Sequence, residues 1–403
     1  MYRNFPIVLA LIASVSRADV YLLDTTKPKD ADPFFRIHSQ YHLGFKWGFV
    51  DKLGNIVIAP QFADEGYFFD GLARVVVNGL SGFINESGRI AIPARYQDAG
   101  DFHDGLAPIR VGKKWGYIDK AGKIVIAPAF QGAAAFRQGL ARVEVWEKLR
   151  CLRGGQIYSK DNAPDYVYGI QSDIRHDMNN TCFPLDSKVG YIDKSGRFAI
   201  PLRYLEAHDF FEGLAAARLK PTGKYGFIDR NGAVVIDFQF DEAGKFSEGL
   251  AWVRIGRKTV NGIRDPGQCG YIDHSGKFVI QAQFGDATDF SEGLAAVSLT
   301  DRPGRGFINR SGNVVIPVHY VWAEPFSEGL AQVCNEVTCS YIDHADRAVL
   351  SSFQALGSFS GGLAIVRARD EHGRTLYVDK TGRVVAPVQV EAAHTSKPAG
   401  HHK

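Results

Sequence analysis

Asp173, His176 and Asp177 fall within five positions of one another and carry the side chains that proton transfer at a glycosidic bond requires. An imidazole beside carboxylates can take up and return a proton near neutral pH. Tyr158, Tyr166 and Tyr168 lie in the same stretch and add rings with an apolar body and a polar tip, suited to contacting a ligand. No second His or Cys stands at ligand spacing, so the group does not read as a metal centre, and no cofactor is expected. A second series is acidic: Asp70, Asp104, Glu212, Glu248, Glu292 and Glu328 each precede a Gly-Leu pair. Aligned, they would form a ladder for cations or an amine-bearing polymer; singly, each reads as a tight-turn residue, and the turn reading is favoured. The chain has five cysteines. Cys334 and Cys339 flank a short connection between strands expected to pair, Cys151 and Cys182 bracket the Tyr- and His-bearing stretch, and Cys269 is left over. There is no Gly-rich phosphate loop, nucleophile elbow or metalloprotease helix.

The elements that must position these residues follow from a repeat. Blocks begin at Gly48, Gly82, Gly116, Gly190, Gly226, Gly270 and Gly306, then at Ser340 and Leu376, with steps of 34, 34, 74, 36, 44, 36, 34 and 36 residues. The basic unit is thus 34 residues, and the longer steps contain insertions. The residue after each start is aromatic, an aliphatic follows, and then Asp or Asn leads into turns such as Asp119-Lys-Ala-Gly122. Asp accepting backbone N–H bonds and Gly at the fourth position specify a hairpin. The second strand, such as Ile124-Val125-Ile126, is continuously apolar and often meets Pro, so it is expected to be covered on both faces and stopped there. A third strand alternates, as in Ala141-Arg142-Val143, and is expected to be half buried. Aromatics also recur before Gly-Leu, from Phe68 to Phe359. So small a unit cannot bury them alone, and neighbouring copies must stack.

Lys46-Trp47-Gly48-Phe49-Val50-Asp51, Lys114-Trp115-Gly116-Tyr117-Ile118-Asp119 and the recurring Phe-Ser-Glu-Gly-Leu resemble the WG-repeat, or KWG-repeat, family of bacterial proteins over about Lys46 to Val390. Trp is replaced at Ser81, Val189, Tyr225, Cys269, Arg305, Cys339 and Thr375, and Gly at Ser340 and Leu376. The resemblance implies a repeated β architecture and assigns no catalytic residues. The expected fold class is therefore all-β, with tandem repeats of about three antiparallel strands. An open solenoid or superhelical array is favoured over a closed, propeller-like ring, because 34 residues is short for a blade and nine units exceed the usual blade number. The ring would draw a missing strand from Tyr41 to Lys46.

Residues 1–18, with an apolar run from Phe5 to Val15 and small residues at Ser16 and Ala18, read as a secretory signal. A lead-in over 19–45, the array over 46–390 with insertions at 146–187 and 257–268, and a disordered polar tail over 391–403 complete the expected organisation. No stretch is long and apolar enough for a transmembrane helix. The formal charge of +3 is too small and evenly spread for a nucleic-acid-binding face. Every insertion falls after the third strand, so all emerge from one edge. The expected function is a secreted or periplasmic, non-enzymatic scaffold binding a protein or cell-surface polymer through that edge. The rival is an envelope-glycan hydrolase with its acid–base site at Asp173, His176 and Asp177. If Tyr117, Tyr191 and Tyr271 point outward they would offer sugar-stacking platforms, although aromatics at fixed strand positions usually form core.

Overall fold

The computed structural model describes residues 21–24, 35–39, 46–51, 53, 55–146, 149–153, 156–160, 182–184, 187–219, 223–260, 263–300, 303–369 and 375–385. These form nine successive antiparallel sheets, most with four strands in chain order. The third is typical: Asp98–Ala99, Leu106–Val111, Lys114–Asp119 and Ile124–Phe130 lie side by side. A two-residue strand thus joins the three expected from sequence, and each sheet combines the end of one 34-residue unit with the start of the next. The first sheet takes Tyr21–Asp24 and Phe35–Ser39 from the expected lead-in. The sixth and seventh share the continuous strand Phe278–Ala287.

The hairpin between third and fourth strands forms as its residues dictate. Asp119 Oδ1 accepts the N–H groups of Ala121 at 3.0 Å and Lys123 at 2.9 Å, while Gly122 takes φ +77. Asn85 and Asn309 do the same work with an amide oxygen. The Ser195 and Ser275 hydroxyls, with backbone N–H groups, hold Asp193 and Asp273 below the ordinary carboxylate range. A lowered folded-state pKa contributes stability above the unfolded value, about 4, that is lost as pH falls. We therefore expect a thermal midpoint that holds steady from neutrality to about pH 5 and drops below about pH 4. Asp193→Asn together with Asp273→Asn should flatten that drop in a fluorescence-monitored melt; an unchanged acid limb would contradict it.

The fourth strand departs from expectation. Ile58, Ile92, Ile126, Ile200, Ile236, Ile280 and Ile316 are buried, but their neighbours are not: Ile124 is 47% and Val125 44% exposed. It is the outermost strand of most of the sheets, so half its surface faces solvent. Pro does not stop it either. Pro128 lies inside Ile124–Phe130, where the register slips against the third strand, as a proline on an edge with a bulge can. That slip folds the backbone over the repeat-initial glycine: a Cβ at Gly116 would lie 2.4 Å from the Ile126 carbonyl oxygen. In the unit starting at Ser340 the outer strand is only Ala348–Val349, paired with Ile342 and Tyr341.

The core lies between sheets. Successive residues of a strand face opposite sides, so the aromatic and the aliphatic of each repeat enter two different interfaces. Tyr117, for instance, packs toward the fourth sheet with Phe136, Ala141, Val143 and Ile192, while Ile118 packs back toward Phe83, Ile92 and Tyr96 of the second. Eight aromatic pairs bridge neighbouring sheets, from Phe49–Phe68 at 4.7 Å between ring centroids to Tyr341–Phe359 at 5.0 Å. Each contributes about 0.5–1.5 kcal/mol beyond its buried area. Tyr117, Tyr191 and Tyr271 are wholly buried, and their hydroxyls donate to the carbonyls of Ala134, His208 and Thr288. They are therefore core residues and not outward platforms.

An open row of nine sheets would have eight interfaces. A ninth is present: Val50 and Ile56 of the first sheet pack with Leu363, Ile365, Tyr377 and Val385 of the last. Val50 there takes the place that Ile84, Ile118, Ile192 and their equivalents take elsewhere. Of the two repeat arrangements considered from sequence, this interface belongs only to the ring. Closure is by side-chain packing: among the described residues no strand from one end joins a sheet of the other, and Phe35–Ser39 supplies the strand expected from Tyr41 to Lys46.

Candidate functional site

The two faces of the ring differ in chemistry. One carries the hairpins and the turns before Gly-Leu. In those turns Asp70, Asp104, Glu212, Glu248, Glu292 and Glu328 adopt φ between +49 and +58. Each carboxylate accepts the glycine N–H of the next sheet's turn, as Asp70 does from Gly105 at 2.7 Å and Glu292 from Gly329 at 2.8 Å. Left-handed backbone costs a non-glycine residue about 1–2 kcal/mol, which a charge-assisted hydrogen bond of about 1.5–3 kcal/mol offsets even after some loss to solvent. Ser247, Ser291 and Ser327 add a bond to the phenylalanine carbonyl of the following turn. The tight-turn and ladder readings of these acids are thus one structure, whose ligands are the protein's own N–H groups. Lys380, His274 and His344 lie within 4 Å of Glu328, Glu212 and Glu292. Side chains as short as Asp span from turn to turn, which marks this side of the sheets as the one nearest the ring axis, where neighbours converge.

The opposite face carries the connections between second and third strands. In the second sheet this is only Asn78-Gly79, both with positive φ, a tight two-residue hairpin. In the fourth, the connection between Leu140–Val145 and Lys188–Asp193 holds its own sheet of Leu149–Arg153, Gln156–Lys160 and Cys182–Pro184. In the sixth it holds the hairpin Lys258–Val260 with Ile263–Asp265. Both insertions therefore leave the ring on one face.

Tyr158 lies on the strand Gln156–Lys160. Tyr166, Tyr168, Asp173, His176 and Asp177 lie outside the described residues, as do the signal over 1–18 and the tail over 391–403. Cys334 and Cys339 are opposite one another in the eighth sheet and form a disulfide, with Cα atoms 3.9 Å apart. Cys151 and Cys182 are likewise directly opposite in register. Cys269 is buried, and desolvation pushes its thiol up to about 12. Among the described residues no group of three or more His, Cys, Asp or Glu is placed to hold a metal ion, and no helix is long and apolar enough to cross a membrane.

A strip of paired charges on this same face escaped the sequence reading. Glu206 faces Arg218 across the fifth sheet, at 2.9 Å, and Glu242 faces Arg254 across the sixth, at 2.8 Å. Arg254 reaches on to Asp286 of the seventh sheet at 3.3 Å, and Asp286 pairs with Arg305, whose guanidinium lies 4.2 Å from the centroid of the Trp322 ring in the eighth. Arg257, at the root of the second insertion, pairs with Glu242 and donates its N–H to Asp241. His208, 3.9 Å away, then Tyr225 and Arg218 hold Glu206 down to about 2. The signal was available in the sequence: an acid and an Arg twelve residues apart recur as Asp98/Arg110, Glu206/Arg218 and Glu242/Arg254.

A closed ring of repeated meander sheets with insertions on one face defines a propeller-like β-repeat protein. The chain belongs to the WG containing repeat family, whose profile matches residues 47–80, 82–115, 115–145, 190–220, 225–258, 270–301 and 306–336, more than half of its length. No curated protein matches the sequence. Similar solved structures include a eukaryotic initiation factor, 11% identical over 77% of this chain and 93% of that one, with a TM-score of 0.38. Others are Kluyveromyces lactis Hsv2, 8% identical over 92% and 99% with a TM-score of 0.32, and the extracellular domain of a putative one-component system from B. thetaiotaomicron, 8% identical over 92% and 76% with a TM-score of 0.26.

Proposed function

We propose that the protein is a non-enzymatic scaffold, exported from the cytoplasm, that binds a protein or cell-surface polymer through the face bearing its insertions. The observation that carries this reading is that both long connections and the charged strip ending at Trp322 share that face. Loops held on a rigid repeat frame are where binding groups concentrate. Export is supported by the Cys334–Cys339 bridge, since such bonds persist in oxidising compartments, and by the apolar run from Phe5 to Val15.

The test compares the full chain with a variant in which residues 151–184 are replaced by Asn-Gly, each incubated with envelope extract and its bound species identified. Capture by the full chain and not by the variant is expected. Equal capture by both would move the site off the insertion, and turnover of an envelope glycan that Asp173→Asn abolishes would replace the scaffold with the hydrolase. Non-reducing peptide mapping of the same protein should find Cys151 joined to Cys182, closing a loop worth about 3–4 kcal/mol, and Cys269 modified by alkylating reagent only after denaturation.

A further inference from the structure

We infer that Trp322 is a stacking platform for a sugar ring, so that the partner of the insertion-bearing face is a glycan chain; this rests on the binding reading above. Trp322 stands at the first position of the short strand Trp322–Ala323. At the same register the second, third, fifth, sixth and seventh sheets carry Asp64, Asp98, Glu206, Glu242 and Asp286. The fold therefore accepts a solvated carboxylate at this position and does not need an indole there for packing. Trp322 is accordingly 45% exposed, whereas the aromatics at the repeat-initial positions are buried. Its cross-strand neighbour differs as well: Cys334, tied to Cys339, takes the position held by Arg218 and Arg254 in the fifth and sixth sheets.

The groups around the indole fix its orientation. Arg305 covers one side of the ring and is itself held by Asp286. Glu324 accepts the indole N–H at 2.8 Å. The indole nevertheless stays 45% exposed, with the Glu324 carboxylate at its N–H edge. A pyranose has one face of C–H bonds and a perimeter of hydroxyls. The C–H face fits the electron-rich face of an indole, and the hydroxyls fit an acceptor such as Glu324. Because its partners lock the ring, little side-chain entropy is lost on binding.

The test is calorimetric titration of the full chain, Trp322→Ala, Trp322→Phe and Glu324→Gln with cellohexaose, chitohexaose and a hexuronate oligomer. Binding of at least one oligomer is expected, weakened about tenfold or more in Trp322→Ala and largely kept in Trp322→Phe, which retains a π face. Glu324→Gln, which preserves the indole and an oxygen to accept its N–H but removes the carboxylate charge, should weaken binding severalfold. No binding of any oligomer, or equal binding by Trp322→Ala, overturns the platform. An envelope protein captured by the full chain and lost with Trp322→Ala would overturn the glycan class in favour of a protein. In either case, insertion-dependent capture from extract would leave the scaffold reading standing, and its loss would remove that reading separately.

Discussion

Gly116→Ala is expected to destabilise the third sheet by about 3 kcal/mol, at the upper end of what one inserted methyl costs a packed interior. The added Cβ would lie 2.4 Å from the Ile126 carbonyl oxygen, 2.7 Å from the Pro128 nitrogen and 2.9 Å from the Ala127 carbonyl carbon. All three are backbone atoms of the bulged outer strand, so no rotamer change relieves the clash. Gly79→Ala provides the comparison. That glycine has φ +77 and nothing near its missing Cβ, so its cost is conformational, about 1 kcal/mol. Urea unfolding should rank the two in that order, with amide exchange in the Gly116 variant rising first in Lys114–Asp119 and Ile124–Phe130. Equal or reversed costs would show that backbone conformation, and not space, fixes the repeat-initial glycine.

The second large effect is expected at the seam. Val50→Asp places a carboxylate among the apolar side chains of Leu363, Tyr377 and Val385, and burying a charge in apolar surroundings costs several kcal/mol or drives the surfaces apart. The ring should open there: the radius measured by small-angle scattering should rise, and exchange should increase in Lys46–Val50 and Thr375–Asp379 while the third to seventh sheets stay protected. The seam is also weaker by construction. Gly361 stands where six of the other seven turns carry an acid and the seventh carries Gln138, and it has no side chain to pass to the next sheet. Uniform loss of protection around the whole ring would contradict a discrete seam, and an unchanged radius with unchanged exchange would contradict closure through Val50.

The repeat period, the hairpin acids, the interface aromatics and the common edge of the insertions were legible in the sequence because each is local: a residue type at a fixed offset does the same job in every unit. What was not legible involves geometry between units. The outer strand looked buried because Ile124-Val125-Ile126 is apolar throughout, yet only Ile126 turns toward a neighbour. Ring closure depends on the angle between successive sheets, which no single residue encodes, and only Val50 in the position of its eight counterparts reveals it. The strip from Glu206 to Trp322 is assembled across four sheets, so its members are scattered over more than a hundred positions and read singly as surface charge. Trp322 looks unremarkable in the sequence until it is aligned with the acids that occupy its register elsewhere.

Closure by packing alone bears on how the chain reaches its final form. Eight of the nine interfaces join neighbouring units, so sheets can form one after another along the chain with low contact order and correspondingly fast assembly. The ninth joins residues more than three hundred positions apart and must come last. Its loop-closure entropy is only about 2 kcal/mol above that of a single repeat, because the cost grows with the logarithm of length. Until it forms, the last sheet presents an apolar face shaped for the first sheet of any copy within reach. Intramolecular closure and head-to-tail chaining therefore compete, and protein concentration during folding decides between discrete rings and open filaments.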